Sequence, residues 1–278
     1  MQDNLRILMV GDVVGQLGCA MFQKHIPKLK RELNIDAVIV NGENSHSQGR
    51  GITPSLVNFF KHNGANVITS GNHIWARKEI YPYLEQNNDL LRPANFPGIC
   101  PGSGVTTFKC KEFTIGVINI QGRIFMNQHV DCPFRAVESL LTFLRSKTKN
   151  IFVDFHTETT SEKMGMGYFL DGKVSAMVGT HTHIQTADER ILPGGTAYIT
   201  DLGMSGALNS MIGMKKEPII QNFLTQMPVK FEVDITPPAF LCAVVIEIDP
   251  FTGKAIEIKR IRIVDEDIFI HTKDISDN

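Results

Sequence analysis

The chain lacks any pair of cysteines at the spacing that clamps a metal ion. Its five, Cys19, Cys100, Cys110, Cys132 and Cys242, are odd in number and scattered, with no C-x-x-C among them. That argues against a thiolate zinc site and a disulfide framework, and points to a reducing compartment. Long hydrophobic runs are missing too. No apolar run approaches the roughly 20 residues a membrane helix needs. The opening Met-Gln-Asp-Asn-Leu-Arg has no basic segment followed by a long apolar one. The expectation is a cytoplasmic protein with no membrane partner. Charge of one sign is scarce: 28 Lys and Arg face 29 Asp and Glu, a net of −1. A broad field for DNA or a membrane is therefore not implied, though a local basic groove is still open. No linker, repeat or low-complexity tract breaks the 278 residues, so one domain over 1–278 is expected.

What the chain does have is apolar residues, 42% of the total, enough to fill a core. They fall in short Val- and Ile-rich runs between amphipathic stretches. Ile7 to Val10, Ala37 to Val40 and Val67 to Thr69 read as buried strands. Between them Phe22, Ile26, Leu29 and Leu33 repeat at helical spacing. Thr53-Pro54 opens a helix with a cap residue and a first-turn proline. A helix from about Trp75 to Glu85 is expected next. This β-α-β-α order predicts a parallel sheet with helices packed on it. Val105 to Lys109 and Phe113 to Asn119 then read as a hairpin, and Pro133 opens a further helix. Ile151 to Phe155 and Val174 to Val178 return to strand. Tyr198 to Thr200, Phe240 to Ile248 and Ala255 to Val264 read as antiparallel. The fold class expected is α/β, with two sheets between helices.

The polar residues that follow the strands carry the chemistry. Asp12, Glu43 with Asn44, Asn72 with His73, His156, and His181 with His183 each stand just past an apolar run. In open α/β sheets those carboxyl ends form the ligand crevice. Five strands in a row would thus deliver oxygen or imidazole donors to one place. Glycines beside three of them allow close backbone approach. Carboxylate, amide and imidazole together suit Mn, Fe or Zn better than a soft thiolate site does. A carboxylate can bridge two ions roughly 3.5–4 Å apart, and a bridging hydroxide is then a nucleophile for phosphorus. His181 and His183, on an extended segment, would face the same side.

In order, G-D-V-V-G, N-G-E-N, G-N-H, H-T-E and G-T-H-T-H resemble the calcineurin-like metallophosphoesterases, most closely their bacterial YmdB-like branch. The resemblance runs from Leu5 to about Val264. It implies a four-layer α-β-β-α sandwich with two mixed sheets and two metal ions per subunit. Asp12, Asn44 and His183 would hold the first ion, Glu43 would bridge, and Asn72, His156 and His181 would complete the second. His73 would be the general acid. The implied activity is phosphodiester hydrolysis by metal-bound hydroxide, with 2′,3′-cyclic nucleotides as the leading substrate. A small diester or an RNA end would be the partner, and a homo-oligomer is compatible with the apolar hairpins. Two departures stand out. Val14 occupies the place of the histidine in the superfamily's usual D-x-H, and Glu43 replaces its usual bridging Asp.

Each residue alone has a bland reading. Asp12 suits a turn, Glu43-Asn44 a helix cap, and His73 or His156 a polar loop. Arg50, between Gly49 and Gly51, reads as a solvated loop cation before it reads as a phosphate clamp. His46 reads as a loop residue, Trp75 as packing, and His25, His62, His129 and His271 as structural or surface. Asp201 to Gly206 reads as a loop shaping the site. Two rival functions stay open. One is a metal-binding regulatory or nucleotide/RNA-binding module with little turnover. The other is a barrel amidohydrolase, disfavoured because its H-x-H would follow the first strand.

Overall fold

The computed structural model describes residues 4–270, so His271 lies outside the described residues. Strands β1 (Leu5–Val10), β2 (Asp12–Val13), β3 (Ala37–Asn41) and β4 (Val67–Thr69) come first, with α1 (Gly15–Glu32) and α2 (Pro54–His62) between them. The Thr53 hydroxyl accepts from Leu56 N at 3.4 Å and caps α2 as expected. Then follow α3 (Tyr81–Gln86), β5 (Val105–Cys110), β6 (Phe113–Gln121), α4 (Pro133–Arg145), β7 (Asn150–His156), α5 (Thr160–Leu170) and β8 (Ala176–Thr180). The last part holds β9 (Arg190–Ile191), β10 (Ala197–Ile199), β11 (Met204–Ala207), α6 (Lys216–Thr225), β12 (Ala239–Ile248) and β13 (Ala255–Asp265).

Two mixed sheets result. One runs β2-β11-β12-β1-β3-β4, with β13 added on β12; the other runs β5-β6-β7-β8-β10-β9. Alternation along β1 and β3 explains the layering. Leu8, Val10, Val38 and Val40 pack under α1 and α2 beside Phe22 and Phe60. Ile7, Met9, Ala37 and Ile39 point the other way, into an apolar layer shared with Phe152, Ala176, Val178 and Ile199 of the second sheet. That sheet's outer face packs Ile118, Ile151 and Val153 against Val137 and Leu144 of α4 and Met166 of α5. The outcome is the expected α-β-β-α sandwich. Two open sheets rule out the barrel alternative.

Four expectations change. The stretch from Trp75 to Glu85 is not one helix: two 3-10 turns, Ile74–Ala76 and Lys78–Ile80, precede α3. Pro82 supports a helix start there and opposes a continuous one. Trp75 does pack, edge-on against Tyr81 and Phe96. The polar run after His156 leads into α5, whose Gly165 and Gly167 hide its helical character. β10 pairs parallel with β8 and antiparallel only with two-residue β9. Finally, the five donor-bearing strands are not in one row. β1, β3 and β4 belong to the first sheet, and β7 and β8 to the second.

Candidate metal centre

The two sheets bring the carboxyl ends of these strands to one spot, so the predicted residues meet although they come from different layers. They form two adjoining groups. In the first, Asn44 Nδ2 lies 3.1 Å from His183 Nε2 and 3.4 Å from Asp12 Oδ1, and His183 Nε2 lies 3.8 Å from Asp12 Oδ1. In the second, His156 Nε2 is 2.9 Å from Glu43 Oε1, 2.9 Å from Asn72 Oδ1 and 3.1 Å from His181 Nδ1. His73 stands over Glu43, its backbone N–H donating to Oε2 at 2.9 Å. Its ring Nε2 is 3.3 Å from Asn72 Nδ2.

The second group passes a test for a cation. One imidazole proton can serve only one of the three contacts around His156 Nε2. Glu43 is fully buried, and its Oε1 has no hydrogen bond despite that 2.9 Å approach. A buried carboxylate oxygen without a donor is costly unless a positive charge meets it. The ring environments agree. Burial pushes His156 down to about 4 and His181 to about 3, so both are neutral with lone pairs to offer. Burial also raises Asp12, an effect that neighbouring His183 and His156 only partly offset. The first group fits less completely. Val14, in place of an imidazole, is buried against Met204 and Val233 and offers no donor.

The histidine pair arrives differently from expectation. β8 ends at Thr180, and His181 (φ 102°) and His183 (φ 65°) both take left-handed backbone instead of an extended run. Such φ values are strained for residues with a Cβ and persist where surroundings hold them. Here Asp12 Oδ2 accepts from His181 N at 3.1 Å and Asp201 Oδ2 from Thr182 N at 3.1 Å. Asp201 is buried in an ion pair with buried Lys163 at 2.6 Å, so the start of the expected loop does shape the site, whereas Met204 to Gly206 are strand β11, paired with β2 and β12, and not loop.

Supporting groups escaped the sequence. Thr180 Oγ1 donates to Asp154 Oδ1 at 2.6 Å and sits 2.9 Å from His156 Nδ1. It thereby accepts from Nδ1–H and leaves Nε2 bare toward Glu43. Asp154 also accepts from Thr69 Oγ1 and Asn41 Nδ2, and burial raises it to about 7. A lone Asp inside the apolar run Ile151 to Phe155 was the available signal. Glu158, at 3.1 Å from His181 Nε2, orients that ring in the same way. The Ile212 carbonyl does so for His183, 2.9 Å from Nδ1. Thr180→Val should keep the fold and lower metal affinity about 10–100-fold. Metal titration by calorimetry checks this, and excess metal should restore activity.

Gly71 lets the backbone pass directly against a donor ring. A Cβ there would stand 2.2 Å from His156 Cδ2 and 2.3 Å from Nε2. Gly71→Ala should therefore displace the ring, costing about 1–3 kcal/mol of stability and weakening metal retention. Thermal unfolding with and without added metal reads both effects.

A cavity of about 410 Å³ opens over the centre, lined by Glu43, Asn44, His73, His181 and His183. Arg50 is exposed at its rim. His46 is buried, and its Nδ1 accepts from Gln48 N at 3.1 Å, so it acts in the loop. His25 pairs with Asp265 at 2.8 Å, a structural contact. None of the five cysteines forms a disulfide. Among the described residues no helix is long and apolar enough to cross a membrane.

Two mixed sheets between helices, with carboxylate, amide and imidazole donors gathered at their common end, define a metallophosphoesterase-like protein. The chain belongs to the YmdB-like family, whose model it matches over residues 8–261. A 2′,3′-cyclic-nucleotide 2′-phosphodiesterase of Bacillus subtilis (strain 168) is 46% identical over 265 residues, covering 95% of this chain and 99% of the relative. The crystal structure of a phosphatase from Mycoplasma pneumoniae superposes with a TM-score of 0.90 at 36% identity, covering 96% of each chain. A hypothetical protein from Thermus thermophilus gives 0.87 at 34% identity, over 94% of this chain and 100% of that one.

Proposed function

We propose that this chain is a dinuclear-metal phosphodiesterase acting on 2′,3′-cyclic nucleotides. The observation that carries it is the pair of adjoining donor groups under one cavity. The Bacillus subtilis relative's cyclic-nucleotide activity supports the substrate class. The motif order supports a place within the calcineurin-like superfamily. Asp12, Asn44 and His183 would hold one ion, and Asn72, His156 and His181 would hold the other. Glu43, next to Asn44 in the chain and 2.9 Å from His156 Nε2, would supply its carboxylate to both groups. Fe, Mn and Zn all suit the donor set. When bound, the ions polarise the phosphoryl oxygens and lower the pKa of an attacking water.

The chain's own groups do the rest. Thr180, Glu158 and the Ile212 carbonyl keep the three imidazoles in the tautomers that face the ions. His73, over the cavity floor, protonates the departing ribose oxygen, and the cyclic diester opens to a monoester. Metal content of the purified protein, with hydrolysis of bis-p-nitrophenyl phosphate and 2′,3′-cAMP under added Mn, tests the proposal. Inactivity across a panel of metals and diesters would overturn it.

A further inference from the structure

The cavity over the metal centre has two unlike kinds of lining. One is the polar donors. The other is the apolar wall of Met211, Ile212, Met214, Ile219, Phe223 and Phe231, with Arg50 bordering it beside Met214 and Phe231. Phe223 is 64% exposed, and Ile212 and Phe231 are each 47% exposed. Large apolar groups left facing water beside a polar centre mark a surface kept for a ligand. A nucleotide diester is divided in the same way, with an anionic phosphate at one end and a flat base with apolar faces at the other.

The wall is also tied to the centre. Met211 and Met214 exchange both backbone hydrogen bonds, at 2.8 and 3.0 Å, closing a tight turn. Its two central residues, Ile212 (φ 48°) and Gly213 (φ 96°), are both left-handed. That is unusual for a β-branched residue and persists only where the surroundings require it. At Gly213 a Cβ would meet Val14 Cγ1 at 2.6 Å, so the turn is pressed onto the first helix's entry. The strained turn places the Ile212 carbonyl on His183 Nδ1 and the Ile212 side chain on the cavity wall. One device thus sets a donor's orientation and the distance from centre to wall.

We propose that Ile212, Ile219, Phe223 and Phe231 form the nucleobase subsite, gripping a base by its faces. The subsite deepens the phosphodiesterase proposal above and rests on it for the position of the phosphate. These four side chains have no hydrogen-bonding group, so they should accept the four bases with little discrimination.

Two paired comparisons test this, one by binding and one by turnover. Calorimetry compares adenosine 3′-monophosphate with ribose 3-phosphate. Kinetics compares 2′,3′-cAMP with the methyl riboside 2′,3′-cyclic phosphate, which has no base. The wild type should favour the base-bearing member of each pair by about tenfold or more, the usual size of one stacked base. Phe223→Ala with Phe231→Ala, both on exposed side chains, should erase that preference and leave the baseless ligands unchanged. A preference untouched by the double variant overturns the subsite. So does an equal loss on both members of a pair. A wild type that shows the binding preference but hydrolyses neither diester keeps the subsite and overturns the phosphodiesterase proposal instead. Light scattering covers the remaining occupant. A wild-type oligomer that the double variant dissociates, with the base preference intact, would give the wall to a second copy of this chain and overturn the subsite.

Discussion

Glu43→Gln should abolish metal retention and lower diester hydrolysis on the order of a thousandfold or more, while making the metal-free protein more stable. The activity loss follows from the several kcal/mol that cation stabilisation supplies. The stability gain follows from the charge left behind. Glu43 is fully buried, its Oε1 lacks a hydrogen bond, and its charge is one of the causes that raise Asp12. Without a cation that arrangement is unfavourable. Glutamine keeps the acceptor for the His73 backbone N–H. It also brings an N–H toward the bare His156 Nε2, now 2.9 Å from Oε1. Relief of about 1–2 kcal/mol is within the range for buried charges, and the melting temperature should rise about 2–8 °C. Melting curves in chelator, with metal analysis and turnover, check all three parts. A Gln variant that melts lower in chelator and still retains its metal would remove Glu43 from the centre. The general point is that these residues are arranged for function at the expense of the empty fold.

How much of this was legible in the sequence depends on whether the cause was local. Asp12, Glu43, Asn72 and His156 each end a run of Val, Ile or Phe, so a polar break marks them without any knowledge of the fold. Thr53-Pro54 and Pro133 announce helix starts by capping and fixed φ, and α2 and α4 begin where expected. What stayed hidden depends on distant partners. Periodicity cannot say that β4 and β7 sit in different sheets, because both are buried on both faces. It cannot set three-residue β10 parallel to β8, since that pairing is tertiary. The left-handed turns at His181 and His183 are held by Asp12, Asp201 and Ile212, none of them near in the chain. Asp154 was visible as an oddity in an apolar strand. Its task emerges only when Thr180 stands between it and His156.

The second large effect should appear at His73, and its size should depend on the leaving group. His73→Asn is expected to cost about 10²–10⁴ in kcat on 2′,3′-cAMP, the usual worth of a positioned acid. On bis-p-nitrophenyl phosphate it should cost far less. A nitrophenolate departs without a proton, whereas a ribose alkoxide does not. Metal content should be unchanged, because the His73 ring approaches Asn72 through Nδ2 and not the oxygen that faces His156. The contact with Glu43 Oε2 comes from the His73 backbone, which asparagine retains. Burial lowers the His73 pKa below its ordinary 6.5, with nearby Arg50 acting in the same direction. The protonated form therefore thins out as pH rises, and wild-type kcat on 2′,3′-cAMP should fall toward alkaline pH. The Asn variant should lose that limb. Pre-steady-state kinetics on both substrates, with metal analysis, make the comparison. Equal losses on the two diesters would place His73 in binding or metal support, and the proton would have to come from another group on the cavity wall, such as Glu158, 3.1 Å from His181 Nε2.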